Sequence, residues 1–211
     1  MEITKKAKFT TDFYGGKGYL SGSERVKKWL GSQQDRLLHP RFKALKDAIG
    51  NETKLEDILS VFNADPDGQP VIGDWMLLQC SINAQKLANT WGKHQVSADR
   101  WRDSALFLPT LVHLGNGKPI KRPDGVEIYN VVPKGKSGFF KAYQYINAGA
   151  EFEFTVTVPD DLCEKVEGRG KNKIFVADPE KTEICVNDIL GKMCMIGIGA
   201  YRLRFGKFKY I

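Results

Sequence analysis

From residue 151 to 158 the chain alternates strictly: Phe152, Phe154, Val156 and Val158 take one face, and Glu151, Glu153, Thr155 and Thr157 the other. Period two with one apolar side predicts a half-buried strand. Phe139 to Ile146 reads as its partner, with Lys141, Tyr143 and Tyr145 on one side, and Asn147-Ala-Gly149 between them predicts the turn of a hairpin. Shorter strands are expected over Glu2 to Phe9, Val126 to Val132 and Ile174 to Val176. The apolar run Leu106 to Leu114 is a further strand, broken or placed at an edge by Pro109.

Between these strands the period lengthens. Ser23 caps a short helix reaching Leu30, and Leu37, Leu38, Phe42, Leu45 and Ile49 have helical spacing that ends at Gly50. Thr53 and Glu56 form a capping box ahead of Leu55, Ile58, Leu59 and Phe62, which predicts a third helix. Asn63 to Pro70 is a turn by composition; Asp65, Asp67 and Gly68 open like a calcium loop but lack its remaining ligands. Asp74 starts a helix carrying Trp75, Leu78, Ile82, Leu87 and Trp91, and Ser97 caps a short one with Arg100, Trp101 and Arg102. The pattern divides the chain into an α+β sheet domain, 1–23 with 104–211, and a mostly helical insertion, 24–103.

The last segment carries the candidate chemistry. After a helix over Ile184 to Met195, Gly197 and Gly199 interrupt the pattern, and a final strand begins. On this alternation Tyr201, Leu203 and Phe205 share one face, and Arg202, Arg204, Phe208 and Tyr210 the other. Guanidinium groups that meet phosphates and rings that stack on bases make such a face a nucleic-acid platform. A glycine helix cap, a bulge at Gly206 and a solvated basic edge strand is the other reading of the same residues.

Charge sharpens this picture. The 211 residues have a formal net charge of +7, and the excess is local. Arg202, Arg204, Lys207 and Lys209 occur with no acid near them; Lys118, Lys121 and Arg122 lie in a loop before the strand at 126; Lys17 sits in the glycine-rich stretch 11–23 with Phe13, Tyr14 and Tyr19. Such clustering favours a phosphate-bearing or acidic partner. The stretch 11–23 lacks the order of a P-loop.

Other chemistries fit less well. Cys80, Cys163, Cys185 and Cys194 contain no C-x-x-C pair, so no zinc is expected, nor any other metal or cofactor. His113 ends an apolar run near Lys118 and Lys121 and is a candidate general acid or base, a lysine and tyrosine pair being the other; a histidine satisfied at a strand end is the alternative reading of His113. No apolar run reaches the roughly 18 to 20 residues of a membrane span, and Met1 to Lys6 is unlike a signal peptide, so a cytoplasmic protein is expected, in the host cytoplasm if it is viral.

The order of elements, strand, glycine loop, helical insertion, aromatic hairpin, helix, then Gly-x-Gly into an arginine-bearing strand, resembles the RAMP superfamily of CRISPR-associated RNA-binding proteins. Gly197, Gly199, Arg202, Phe205 and Gly206 carry the resemblance, over 2–23 and 104–211. It implies a ferredoxin-like, RRM-like antiparallel sheet with a large helical insertion. It also implies backbone-dominated RNA binding, as a subunit of a CRISPR effector or as a phage protein derived from that fold.

The reading is therefore a nonenzymatic protein that binds single-stranded RNA or a guide strand with other protein subunits. Arg202, Arg204, Lys207, Lys209, Lys17, Lys118, Lys121 and Arg122 would contact phosphate, Tyr143, Tyr145 and Phe208 would stack, and Gly197 and Gly199 would admit the ligand to the backbone. A viral assembly component or inhibitor and a metal-independent ribonuclease are the alternatives.

Overall fold

A computed structural model of the chain describes residues 1–15, 17–18, 59–91, 96–131, 139–168, 173–199 and 206–211. The helices expected over 23–30 and 33–49, the capping box at Thr53 and Glu56, and Arg202, Arg204 and Phe205 lie outside the described residues. The strands are β1 (Glu2–Phe9), β2 (Phe13–Tyr14), β3 (Lys17–Gly18), β4 (Leu59–Val61), β5 (Asn63–Ala64), β6 (Pro70–Gly73), β7 (Leu106–Leu108), β8 (Leu111–His113), β9 (Gly125–Val131), β10 (Phe139–Ile146), β11 (Glu151–Thr157), β12 (Glu164–Glu167), β13 (Ile174–Ala177) and β14 (Phe208–Tyr210). The helices are α1 (Asp74–Trp91), α2 (Ala98–Ser104) and α3 (Pro179–Ile196). The chain is thus a mixed α+β protein.

Its centre is a four-stranded sheet of order β14-β1-β11-β7, antiparallel throughout. The alternation seen in β11 selects the face: Phe152, Phe154 and Val156 are buried beside Ala7 and Phe9 of β1. Burial of each such ring removes apolar surface from water and contributes roughly 2 to 3 kcal/mol. Two long helices belong to the same core. Leu77, Cys80 and Ala84 of α1 and Val186, Ile189, Leu190 and Met193 of α3 are buried, and the Cys80 thiol reaches the Met193 carbonyl at 3.6 Å. Of the large apolar residues expected to mark the buried face of α1, Ile82 is buried and Leu78 packs against the core, while Trp75 is 52% exposed. α2 is capped by Ser97 as expected, and it buries Trp101, whose indole N–H donates to Ser81 Oγ at 2.8 Å.

The expected hairpin of β10 and β11 does not form. β11 pairs with β1 and β7, while β10 pairs antiparallel with β9 and β2 and parallel with β4 in a second sheet. The turn itself is present, with Gly149 at φ 105, but its backbone continues the β1 ladder: Gly149 N–H donates to Phe9 O and Phe9 N–H to Ala150 O, both at 2.9 Å. A sharp turn between two strands fixes their proximity; which backbone completes each ladder depends on strands far away in sequence.

The stretch 59–73 also differs from expectation. Leu59 lies in β4 and Phe62 directly follows it, rather than on a helix, and β5, β6 and β8 form a third sheet. These strands enter the sheets and core built by the rest of the chain. The two segments of the 106–114 run separate at a cis Leu108–Pro109 bond, with β7 in the first sheet and β8 in the third. Between Val158 and Ile174 the chain also contributes β12, which pairs with β13 as a two-stranded ribbon.

Candidate nucleic-acid interface

Four connections meet at the end of the first sheet where β1 finishes and β11 and β14 begin. Asp12 is their hub: its backbone carbonyl accepts from Gly206 N–H at 2.8 Å, and its carboxylate accepts from Ala148 N–H at 2.9 Å. Thr11 Oγ1 accepts from Lys207 N–H at 2.9 Å, and Thr10 N–H donates to Lys207 O at 2.8 Å. The stretch 115–124 joins through Gly115 N–H to Glu151 O at 2.8 Å and through Asp124, whose carboxylate accepts from Asn147 N–H at 2.8 Å.

The glycines serve the protein's own packing here. Gly197 ends α3 with φ 80, its N–H donating to Met193 O. Gly199, at φ 89, lies against the second connection: a Cβ there would fall 2.5 Å from Tyr14 O and 2.6 Å from a Phe13 ring carbon. The backbone approach expected of a ligand is thus occupied by Phe13 and Tyr14.

The cations at this end divide into committed and available groups. Lys207, expected to contact phosphate, donates its ammonium to the carbonyls of Met195 and Ile196, capping the last turn of α3, and partial burial lowers its pKa. Lys6 lies 2.9 Å from Glu151 and Lys8 3.8 Å from it. The hydrogen bond from Lys6 holds the Glu151 carboxyl below, and the Lys6 ammonium above, their ordinary ranges. Lys209, directly across from Lys8 in the ladder, is exposed, as are Lys118, Lys121 and Arg122. None of these four has an ion-pair partner among the described residues. Lys17 lies in β3, with its side chain outside the described residues.

The expected stacking residues are mostly inside. Phe208 is 3% exposed and packs edge-on against Phe9 and Phe152, so it presents no face to a base. Upstream of it Gly206 adopts φ 68, packed against Ile198. Tyr210 is turned to the helix side too, its hydroxyl donating to Leu190 O at 2.9 Å. Tyr143 is buried, and Tyr145 is half-buried, tilted against Tyr14 and closing over Gly125. The Tyr14 hydroxyl in turn donates to the Glu127 carboxylate.

His113 is engaged by an acid. Its Nε2 lies 2.9 Å from Oδ2 of Asp65, whose other oxygen accepts from Gln69 N–H at 2.8 Å. The pair ties β8 to the turn between β5 and β6, a structural use of both residues. Burial, and after it the neighbouring Cys163 sulfur, pushes the Cys185 thiol up to about 12, so Cys185 is not an activated nucleophile. No group of three or more metal-binding side chains occurs among the described residues, and no described helix is long and apolar enough to cross a membrane.

No protein-family model matches the chain, and no curated protein matches it. Among solved structures it is similar to the crystal structure of Cmr6 from Pyrococcus furiosus, at 12% identity, covering 100% of this chain and 98% of that one with a TM-score of 0.46.

Proposed function

We propose that this protein binds single-stranded nucleic acid, RNA ahead of DNA, without cleaving it, as one component of a nucleoprotein complex. The observation that supports the reading is that the loop carrying Lys118, Lys121 and Arg122 is tied at both ends to the chain around the 147–150 turn, through Gly115 N–H to Glu151 O and Asn147 N–H to the Asp124 carboxylate, while Lys209 pairs with Lys8 in the neighbouring ladder. Cations gathered on one surface bind a phosphate backbone through counterion release, without reading sequence.

The order β14-β1-β11-β7, with α1 between β1 and β7 in the chain and α3 between β11 and β14, supports a ferredoxin-like βαββαβ core. It favours kinship with the RAMP superfamily, as a CRISPR effector subunit or a phage protein derived from that fold. Filter binding of a labelled oligouridine at two salt concentrations tests the binding. The expected result is affinity that falls steeply with salt; absent binding, or binding indifferent to salt, refutes it.

A further inference from the structure

On the face of the first sheet turned from the core, three charged residues lie in one cross-strand row: Lys209 of β14 is directly opposite Lys8 of β1, and Lys8 is directly opposite Glu151 of β11. The next row on the same face joins Lys6 to Glu153. Glu151, whose side chain is 14% exposed, serves both rows, with the Lys6 ammonium 2.9 Å from its carboxylate and the Lys8 ammonium 3.8 Å from it. The first distance is that of a hydrogen bond; the second is beyond one. The neighbouring carboxylates of Asp12 and Asp124 are engaged by the Ala148 and Asn147 N–H groups instead.

The Lys8 ammonium therefore lies between a like charge and a carboxylate that Lys6 already engages. Its stem is set by the turn, since a Cβ on Gly149 would stand 3.9 Å from Lys8 Cε. The backbone carbonyl of Glu151 accepts from Gly115 N–H, so the loop of Lys118, Lys121 and Arg122 is fastened to the same residue. Two ammonium groups directly opposed in a ladder repel, and a phosphate placed between them relieves the repulsion through charge-assisted hydrogen bonds. A carboxylate beside the pair works against this by drawing Lys8 to itself.

We infer that Lys8 and Lys209 form a two-lysine seat for one backbone phosphate, and that Glu151 limits its affinity by competing for Lys8 as an internal anion. This rests on the proposed function and deepens it, naming the position of one phosphate on the sheet and the acid that weakens its hold.

The experiment uses the full chain and a fluorescein-labelled oligouridine, with affinity read by anisotropy over a salt series and thermal melting recorded for every variant. Glu151→Gln is expected to tighten binding about three- to tenfold. Glu153→Gln changes the net charge equally but lies one row away, and is expected to change affinity less than about twofold. Lys8→Gln should weaken binding and lower the slope of log affinity against log salt by about 0.7, and Lys8→Arg should retain both. In the Lys8→Gln background the gain from Glu151→Gln should shrink to that of Glu153→Gln, because the acid acts through that lysine. Equal gains from Glu151→Gln and Glu153→Gln, or a gain that persists in full without Lys8, show an effect of net charge alone and overturn the inference. Parental affinity and salt slope in Lys8→Gln overturn it too, and this arm decides the seat if Glu151→Gln fails to fold. In each of these cases the parent still binds with steep salt dependence and the proposed function stands. A parent that binds no oligouridine removes both.

Discussion

Gly199 lies so close to the backbone of Tyr14 that a Cβ at position 199 would fall 2.5 Å from the Tyr14 carbonyl oxygen. The contact joins the segment after α3 to the segment after β1, and its glycine is doubly constrained, by space and by φ +89. Gly199→Ala should destabilise the fold by roughly 1 to 3 kcal/mol, from backbone strain together with displacement of Tyr14. Urea melts of the two proteins measure it; equal midpoints would mean that the two segments do not meet as described.

Gly191 makes the opposite prediction. It lies inside α3, and nothing stands within 4 Å of where its Cβ would be. Gly191→Ala restricts the unfolded chain and adds helix propensity without a clash, for a gain of about 0.5 to 1 kcal/mol. A loss of stability in the same melts would contradict the described environment.

The buried amide of Gln144 shows what joins the second sheet to the chain around it. Its Oε1 accepts from Phe62 N–H at 2.9 Å, and its backbone carbonyl accepts from Gly15 N–H at 2.9 Å. Gln144→Met keeps the volume and the backbone bond but leaves the Phe62 N–H without its acceptor, a cost of about 1 to 3 kcal/mol. Calorimetric melting decides it, and a variant as stable as the parent removes the bond from the account.

These residues also mark where sequence reasoning succeeds and where it stops. The strand alternation of 151–158, the helix from Asp74 and the Ser97 cap are local patterns, and local patterns survive folding. Gln144 sits in a strand whose partners, β2, β4 and β9, are chosen by contacts across the whole chain, so the turn at 147–149 suggested a hairpin that does not exist. Phe208 is expected outside but is held inside by Phe9 and Phe152, residues of β1 and β11 far from it in sequence. Lys207 was misread because a lysine meeting helix carbonyls and one meeting phosphate look alike in sequence. The exposure of Phe175 is not legible in sequence because it depends on which strands fail to cover a short strand.

Acid stability should depend on His113. The hydrogen bond from His113, and after it the Gln69 N–H, hold the Asp65 carboxyl below its ordinary value although partial burial opposes them. A carboxylate with a depressed folded-state pKa stabilises the fold above its unfolded value, about 3.9, and that contribution is lost as pH falls through the folded value. His113→Ala removes the largest cause, so Asp65 protonates at higher pH and acid unfolding moves upward. Circular dichroism during acid titration at fixed urea reads the midpoint; a midpoint that stays put, or moves down, would falsify the linkage.

Lys207 and Lys209 are two residues apart yet have separate tasks, and that separation tests the interface directly. Lys207 caps α3 through the carbonyls of Met195 and Ile196, while Lys209 is exposed beside Lys8. Lys207→Met should lower stability by about 0.3 to 1 kcal/mol, as expected for a cation at a helix C-terminus, and leave the salt dependence of oligouridine binding intact. Lys209→Glu should leave melting unchanged and weaken binding, and replacing Lys118, Lys121 and Arg122 together by Glu should weaken it further. Each lost phosphate contact lowers the slope of log affinity against log salt by about 0.7 for a single strand. If Lys207→Met alone reduces the slope while the exposed cations can be replaced without effect, the nucleic acid lies elsewhere on the molecule and the sheet end is not its interface.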